Sequence, residues 1–183
     1  MNKFQLSISV IVGLCSGFYS IQAAVADPPA ATDPIVNVDK PYDTPESESS
    51  RAEAQDVIDV LQIMGNAYAR GDIDGYIKHV DNNCSVFDEH KNQMVHGKEA
   101  VIAALKEKFD KNSKADPGPI LSYKIVQPYV KANGKTAVVT YRVIEEVGGK
   151  HPKKLEGSMS DVFTKESGAW LKVHQRAVWK RVK

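Results

Sequence analysis

The closing stretch Ala169-Trp170-Leu171-Lys172-Val173-His174-Gln175-Arg176-Ala177-Val178-Trp179 puts an imidazole and a guanidinium two residues apart. Alternate residues of a strand share a face, so His174 and Arg176 would point the same way, between Trp170 and Val178. A guanidinium offers a fork of donors that fits a carboxylate, so one reading of this face is a pocket wall that recognises an anion. The other is the solvated polar face of an edge strand, where Arg and His commonly sit. Tyr68, on the apolar face of a helix, and Arg142, within an apolar strand, are the further polar groups expected at such a wall. His79, His90, His96, His151 and His174 have no metal-ligand spacing, and Asp88-Glu89-His90 reads as an exposed turn. Glycine-rich phosphate loops are lacking too, so neither a metal nor a cofactor is expected. Cys84 has no activating neighbour in sequence and reads as a core-filling residue. Asn83-Cys84-Ser85 matches a short glycosylation acceptor pattern.

The elements that must position these groups follow from periodicity. Over residues 51–70, Val57, Val60, Leu61, Met64, Ala67 and Tyr68 recur at three- and four-residue spacing, and Gly71 follows as a stop, which predicts an amphipathic helix. Asp72 can cap a short second helix over 73–80. A strand over 84–88, a polar turn and a return strand over 94–96 lead into a third helix starting at residue 98, with Val101, Ile102, Leu105 and Phe109 inward. Asp116-Pro117-Gly118-Pro119 ends that helix. Long strands then follow over 120–131, 136–147, 154–164 and 169–179, turned by Asn133-Gly134, Gly148-Gly149 with Pro152, and Ser167-Gly168. Helices first and antiparallel strands afterwards is an α+β order. Residues 138–144 are apolar except at Thr140 and Arg142. Both faces of that strand should therefore be covered, one by helices and the other by a second subunit of a homodimer or by a larger core of the same chain.

The chain divides into three parts. Residues 1–26 carry Lys3, an apolar segment and Ala24-Val25-Ala26, the pattern of a cleaved signal peptide, so the mature protein is expected to be exported, periplasmic or secreted, without a membrane anchor. Residues 27–50 hold five of the nine prolines and six of the acids with few large apolar residues, the composition of a mobile arm. Residues 51–183 form one domain with a sizeable core. Of 24 basic and 23 acidic residues in the chain, setting aside Lys3, Lys40 and the six acids before residue 51 leaves 22 and 17 in the domain. That charge is small and scattered, without basic runs or interleaved aromatics, which excludes a nucleic-acid footprint. Cys84 is the only cysteine after the signal segment, so no intramolecular disulfide can form.

The order of elements, Ala67-Tyr68-Ala69-Arg70-Gly71-Asp72, the Phe87-Asp88 strand, His96-Gly97-Lys98-Glu99-Ala100 and Trp170-x-x-x-His174-x-Arg176 resemble the nuclear transport factor 2-like superfamily over residues 53–181. Within it the chain is most similar to SnoaL-like proteins and to the association domain of calcium/calmodulin-dependent kinases. The resemblance implies a cone, a curved antiparallel sheet wrapped around three helices with a cavity at the wide end lined by His174, Arg176 and Val178, and commonly a dimer. Relatives often carry His-x-His where this chain has His174-x-Arg176, which keeps a cation but loses titration near neutrality. Ketosteroid isomerases belong to the same superfamily. Matching them puts the general base on Asp88 and the proton-donating carboxyl on Asp161, while Met64 stands at their tyrosine position and Tyr68 lies one turn away. That chemistry needs one ionised carboxylate and one neutral acid, and a cation beside Asp161 would oppose it. Structural roles for both aspartates, such as capping or pairing with Arg176, remain the alternative. Two functions follow: a binding or interaction module holding a small anionic or aromatic ligand through Tyr68, Arg142, His174 and Arg176, or a cofactor-free isomerase, cyclase or dehydratase using Asp88 and Asp161.

Overall fold

A computed structural model describes residues 34–39, 48–88, 92–110 and 118–182. The signal-peptide reading of residues 1–26, the tip of the turn after Asp88 and the Asp116-Pro117 break lie outside them. The elements are β1 (Ile35–Val38), α1 (Glu48–Ala69), α2 (Ile73–Ile77), β2 (Val80–Asp88), β3 (Gln93–His96), α3 (Lys98–Phe109), β4 (Ile120–Ala132), β5 (Thr136–Val147), β6 (Lys153–Glu166) and β7 (Ala169–Val182). Among the described residues no helix is long and apolar enough to cross a membrane.

The expected periodicity of α1 is what buries it. Val57, Leu61, Met64 and Ala67 face the sheet at 4% exposure or less. Gly71 adopts φ 69°, a left-handed turn that glycine reaches without a Cβ penalty, and so ends the helix. The Asp72 carboxylate then accepts from the Gly75 amide at 2.8 Å and starts α2.

The strands form one curled, unclosed seven-stranded sheet in the order β1-β4-β5-β6-β7-β2-β3. The four long strands pair antiparallel in sequence order, and β2 joins the last of them in parallel. Alternation along β5 sends Ala137, Val139, Tyr141, Val143 and Glu145 towards the helices. The fold is the expected α+β cone wall, with one addition at its edge. Ile35–Val38 pairs in parallel with β4 from Ile35 opposite Ser122 to Val38 opposite Ile125, and Asp39 meets Lys124 at 3.2 Å. That segment belongs to the stretch read as a mobile arm. Its Ile-Val-Asn-Val run is apolar enough to half-bury Val36 and Val38 against the core, which the surrounding prolines and acids obscured.

Three strands break register: β2 between Val80 and Ser85, and β4 and β7 as follows. In β4, Val126 faces Arg142 and Tyr129 faces Thr140, with the extra residue accommodated at Gln127, φ 51°. In β7, Phe163 faces Lys172 while Val162 faces His174, leaving Val173 as the extra residue. A single inserted residue exchanges the two faces of a strand beyond it. Trp170 and Lys172 therefore point to the helices before the bulge, but Gln175, Ala177 and Trp179 do so after it.

Candidate functional site

Because of that phase change, the polar groups inside the cone are not the expected ones. Asp161 on β6 and Glu145 on β5 are both fully buried, and each is held by one lysine and one tyrosine. Lys172 brings its Nζ to 2.8 Å from Asp161 Oδ2, and the Tyr141 hydroxyl donates to the same oxygen at 2.9 Å. Lys172 also donates to the Tyr76 hydroxyl at 3.1 Å. Asp161 Oδ1 has no hydrogen-bond partner. Burial works against the Lys172 charge, yet Asp161 and then Tyr76 outweigh it and raise the ammonium above its ordinary pKa. Both contacts end on Asp161 Oδ2, which serves as the shared acceptor of the Lys172 ammonium and the Tyr141 hydroxyl.

The second centre lies nearer the surface. Lys108 on α3 reaches both Glu145 oxygens, at 3.2 and 3.3 Å, and hydrogen-bonds the Tyr68 hydroxyl, which itself donates to Glu145 at 3.1 Å. The Lys108 side chain is 35% exposed, whereas Glu145 is 0%. Its Nζ sits 4.7 Å from the Tyr68 ring centroid and 5.3 Å from that of Trp179. Burial lowers the Lys108 pKa, with Glu145 opposing it. Trp179 can lie flat on the sheet because its cross-strand partner is Gly157, where a Cβ would come within 3.0 Å of the indole. Tyr68 packs on Phe109 at 5.5 Å, Tyr123 at 5.1 Å and Tyr76 at 6.4 Å between centroids, and so links the two centres through a ladder of rings. Burial, then nearby carboxylates and phenols, push Tyr68, Tyr123 and Tyr141 well above the usual range, so their hydroxyls stay donors.

The sequence-derived set is thus divided between two faces. Tyr68 and Asp161 are interior. Arg142, His174 and Arg176 lie on the outer side of the sheet, so their expected place in one cavity with Tyr68 is not what the structure has. Arg142 is outward by the alternation that sends Tyr141 and Val143 inward, and it pairs with Glu156 at 3.4 Å, which also holds Lys180 at 2.8 Å. His174 Nδ1 lies 2.8 Å from the Ser85 hydroxyl. Arg176 is exposed, its guanidinium 5.5 Å from the Phe87 ring. The cause for the last two is the Val173 bulge. Asp88 ends β2 opposite Gln93, and its side chain lies outside the described residues. Asp161 is paired with Lys172, not with Arg176. Surface clefts of about 530 Å³ beside Gly71 and Ile102, and about 310 Å³ beside Leu121 and Pro152, lie apart from both interior centres.

Sequence reasoning missed Lys108, Glu145, Lys172 and Tyr141 as a set. The available signal was charge at inward positions: Glu145 continues the Val139, Tyr141, Val143 series, and Lys108 lies seven residues, about two turns, after Val101 on α3. Compared with known proteins, residues 57–177 match the family model of the SnoaL-like domain. The chain belongs to the SnoaL-like family. Solved structures agree in fold. The association domain of CaMKII from C. elegans superposes with TM-score 0.59 at 21% identity, covering 72% of this chain and 98% of that one. A putative dehydratase of the NTF2-like family from Streptomyces avermitilis gives TM-score 0.59 at 16% identity over 69% and 95% of the two chains. An NTF2-like protein of unknown function from Pseudomonas putida gives 0.56 at 18% identity over 70% and 87%. The wider SnoaL/NTF2-like family includes ligand-binding members as well as isomerases and dehydratases.

Proposed function

We propose that this protein is a binding module that takes a small aromatic ligand at the mouth formed by Tyr68, Lys108, Phe109 and Trp179, and not a proton-transfer enzyme of the ketosteroid isomerase type. The observation that carries the reading is that both interior carboxylates are already paired, Asp161 with Lys172 at 2.8 Å and Glu145 with Lys108 at 3.2 Å. Enolisation needs an acid free to bond the developing oxyanion, and Asp161 Oδ2 is already taken up by Lys172 and Tyr141. The aromatic half of the expected ligand chemistry keeps Tyr68 and gains Trp179. The anionic half loses Arg142, His174 and Arg176 to the outer face.

That outer face suits a second copy of the chain. Val138 and Val178 are 45% and 47% exposed on the same side of the sheet, with Tyr129 at 38%. A homodimer through it would cover the apolar strand on both faces. Export to the periplasm or medium is part of the proposal and rests on the composition of residues 1–26. The experiment pairs two readouts on the purified protein. Calorimetry with indole and with phenol should show binding that Trp179→Ala abolishes. Ultraviolet detection of conjugation of a β,γ-unsaturated ketosteroid should show no turnover. Turnover that disappears in Asp161→Asn would overturn the proposal.

A further inference from the structure

Resting on the aromatic-mouth reading, we infer that the mouth selects organic ammonium ligands, and that Lys108 occupies the ligand's place as a tethered stand-in. The parts of an ammonium site are all present around the Lys108 Nζ. One buried carboxylate, Glu145, offers both oxygens at 3.2 and 3.3 Å. One electron-rich ring, Trp179, lies 5.3 Å from the same nitrogen, inside the roughly 6 Å at which cation–π attraction operates, while Tyr68 meets it with its hydroxyl edge. A hydroxyl, that of Tyr68, completes the set. A carboxylate with aromatic walls is the usual chemistry for amines and methylated amines.

The two partners of this ion pair are not equivalent. Glu145 is fully buried on a central strand, held also by the Tyr68 hydroxyl, and has nowhere to go. Lys108 comes from α3, is 35% exposed, and its helix packs on α2 and β2. Partly exposed and carried by a helix, the lysine can swing into solvent without moving the sheet. Burial already lowers its pKa, so its charge is held at a cost that a ligand with its own apolar body would offset by covering the rings. A ligand ammonium entering from solvent can then take the carboxylate while its aromatic or alkyl body covers Trp179. The competition sets the affinity: a lysine tethered at the site acts as a competitor at high effective concentration, and removing it must tighten binding.

The test is calorimetric titration of the purified protein with 2-phenylethylamine, its neutral counterpart 2-phenylethanol and the anion 3-phenylpropionate, at neutral pH and low salt. The expected order is amine tighter than alcohol by tenfold or more, with no binding of the anion. Lys108→Ala should bind the amine at least tenfold more tightly still, and Glu145→Gln should bind amine and alcohol alike. If Lys108→Ala folds poorly, propylamine should raise its melting temperature and propanol should not. Amine and alcohol binding equally to the wild type would overturn the ammonium inference and leave the aromatic mouth standing. Failure of all three ligands to bind would overturn both. An unchanged amine affinity in folded Lys108→Ala would overturn the tethered-occupant step.

Discussion

Replacing Lys172 with methionine removes a charge from the deepest part of the fold while keeping an unbranched stem of similar length. Lys172 is 3% exposed and Asp161 0%, so the variant leaves a carboxylate out of reach of solvent with only the Tyr141 hydroxyl, 2.9 Å away, as a donor. Breaking a buried pair from one side costs about 3–5 kcal/mol, because the remaining charge keeps its desolvation penalty. For a domain of this size that lowers the melting temperature by roughly 10–20 °C. The double variant Asp161→Leu with Lys172→Met removes both charges but leaves the Tyr76 and Tyr141 hydroxyls to find partners, at about 1–3 kcal/mol each. It should therefore lose clearly less than the sum of the two single changes, with a coupling of about 2 kcal/mol. The pH dependence has a defined sign. The Lys172 ammonium is raised in the folded state, so its contribution is fully present below the unfolded value of about 10.4 and is lost as pH rises through the higher folded value. Urea denaturation followed by circular dichroism should show a gap between wild type and Lys172→Met that is level up to about pH 10 and narrows above it. A gap below about 1 kcal/mol at neutral pH would refute the reasoning, since exposed pairs behave that way.

Four further outcomes are expected. Gly157→Ala should cost about 1–3 kcal/mol by overpacking and should weaken ligand binding through displacement of Trp179, as its Cβ would stand 3.0 Å from the indole; calorimetry of the folded variant reads both effects. Cys84 is 1% exposed and burial pushes its thiol up to about 11, so an aromatic disulfide reagent should label it slowly in the native protein and at once in denaturant. Removing residues 1–47 should leave a folded domain that has lost roughly 2 kcal/mol, the scale of half-burying Val36 and Val38; a denaturation midpoint equal to the full chain's would show β1 to be dispensable. Calorimetry of Arg176→Met should find binding at the mouth within about twofold of wild type, a factor near 0.4 kcal/mol and inside ordinary surface effects.

Much of the architecture was legible because it depends on periodicity and turn chemistry. The apolar spacing of Val57, Leu61 and Met64, the stop at Gly71, the Asp72 cap and the glycine turns locate α1, α2 and the four long strands to within a few residues. The site was legible only in part, for one physical reason. Face assignment by alternation assumes an unbroken pleat, and a bulge carries no fixed residue signature when a β-branched residue such as Val173 takes the extra position. His174 and Arg176 were therefore placed on the face of Trp170, when the chain turns them outward two residues later. Glu145 and Lys108 escaped notice because their partnership spans 37 residues and joins a helix to a strand, which no local spacing encodes. Asp161 was found, but its partner Lys172 needed the register between β6 and β7.

Whether ligands bind at the Lys108 mouth or on the outer sheet face can be read from amide and indole chemical-shift mapping during titration with 2-phenylethylamine. Binding at the mouth gives saturable shifts at Tyr68, Lys108, Phe109, Glu145 and the Trp179 indole, with Arg142, His174 and Arg176 unmoved. Saturable shifts centred on His174 and Arg176, with the Trp179 indole unmoved, would contradict it.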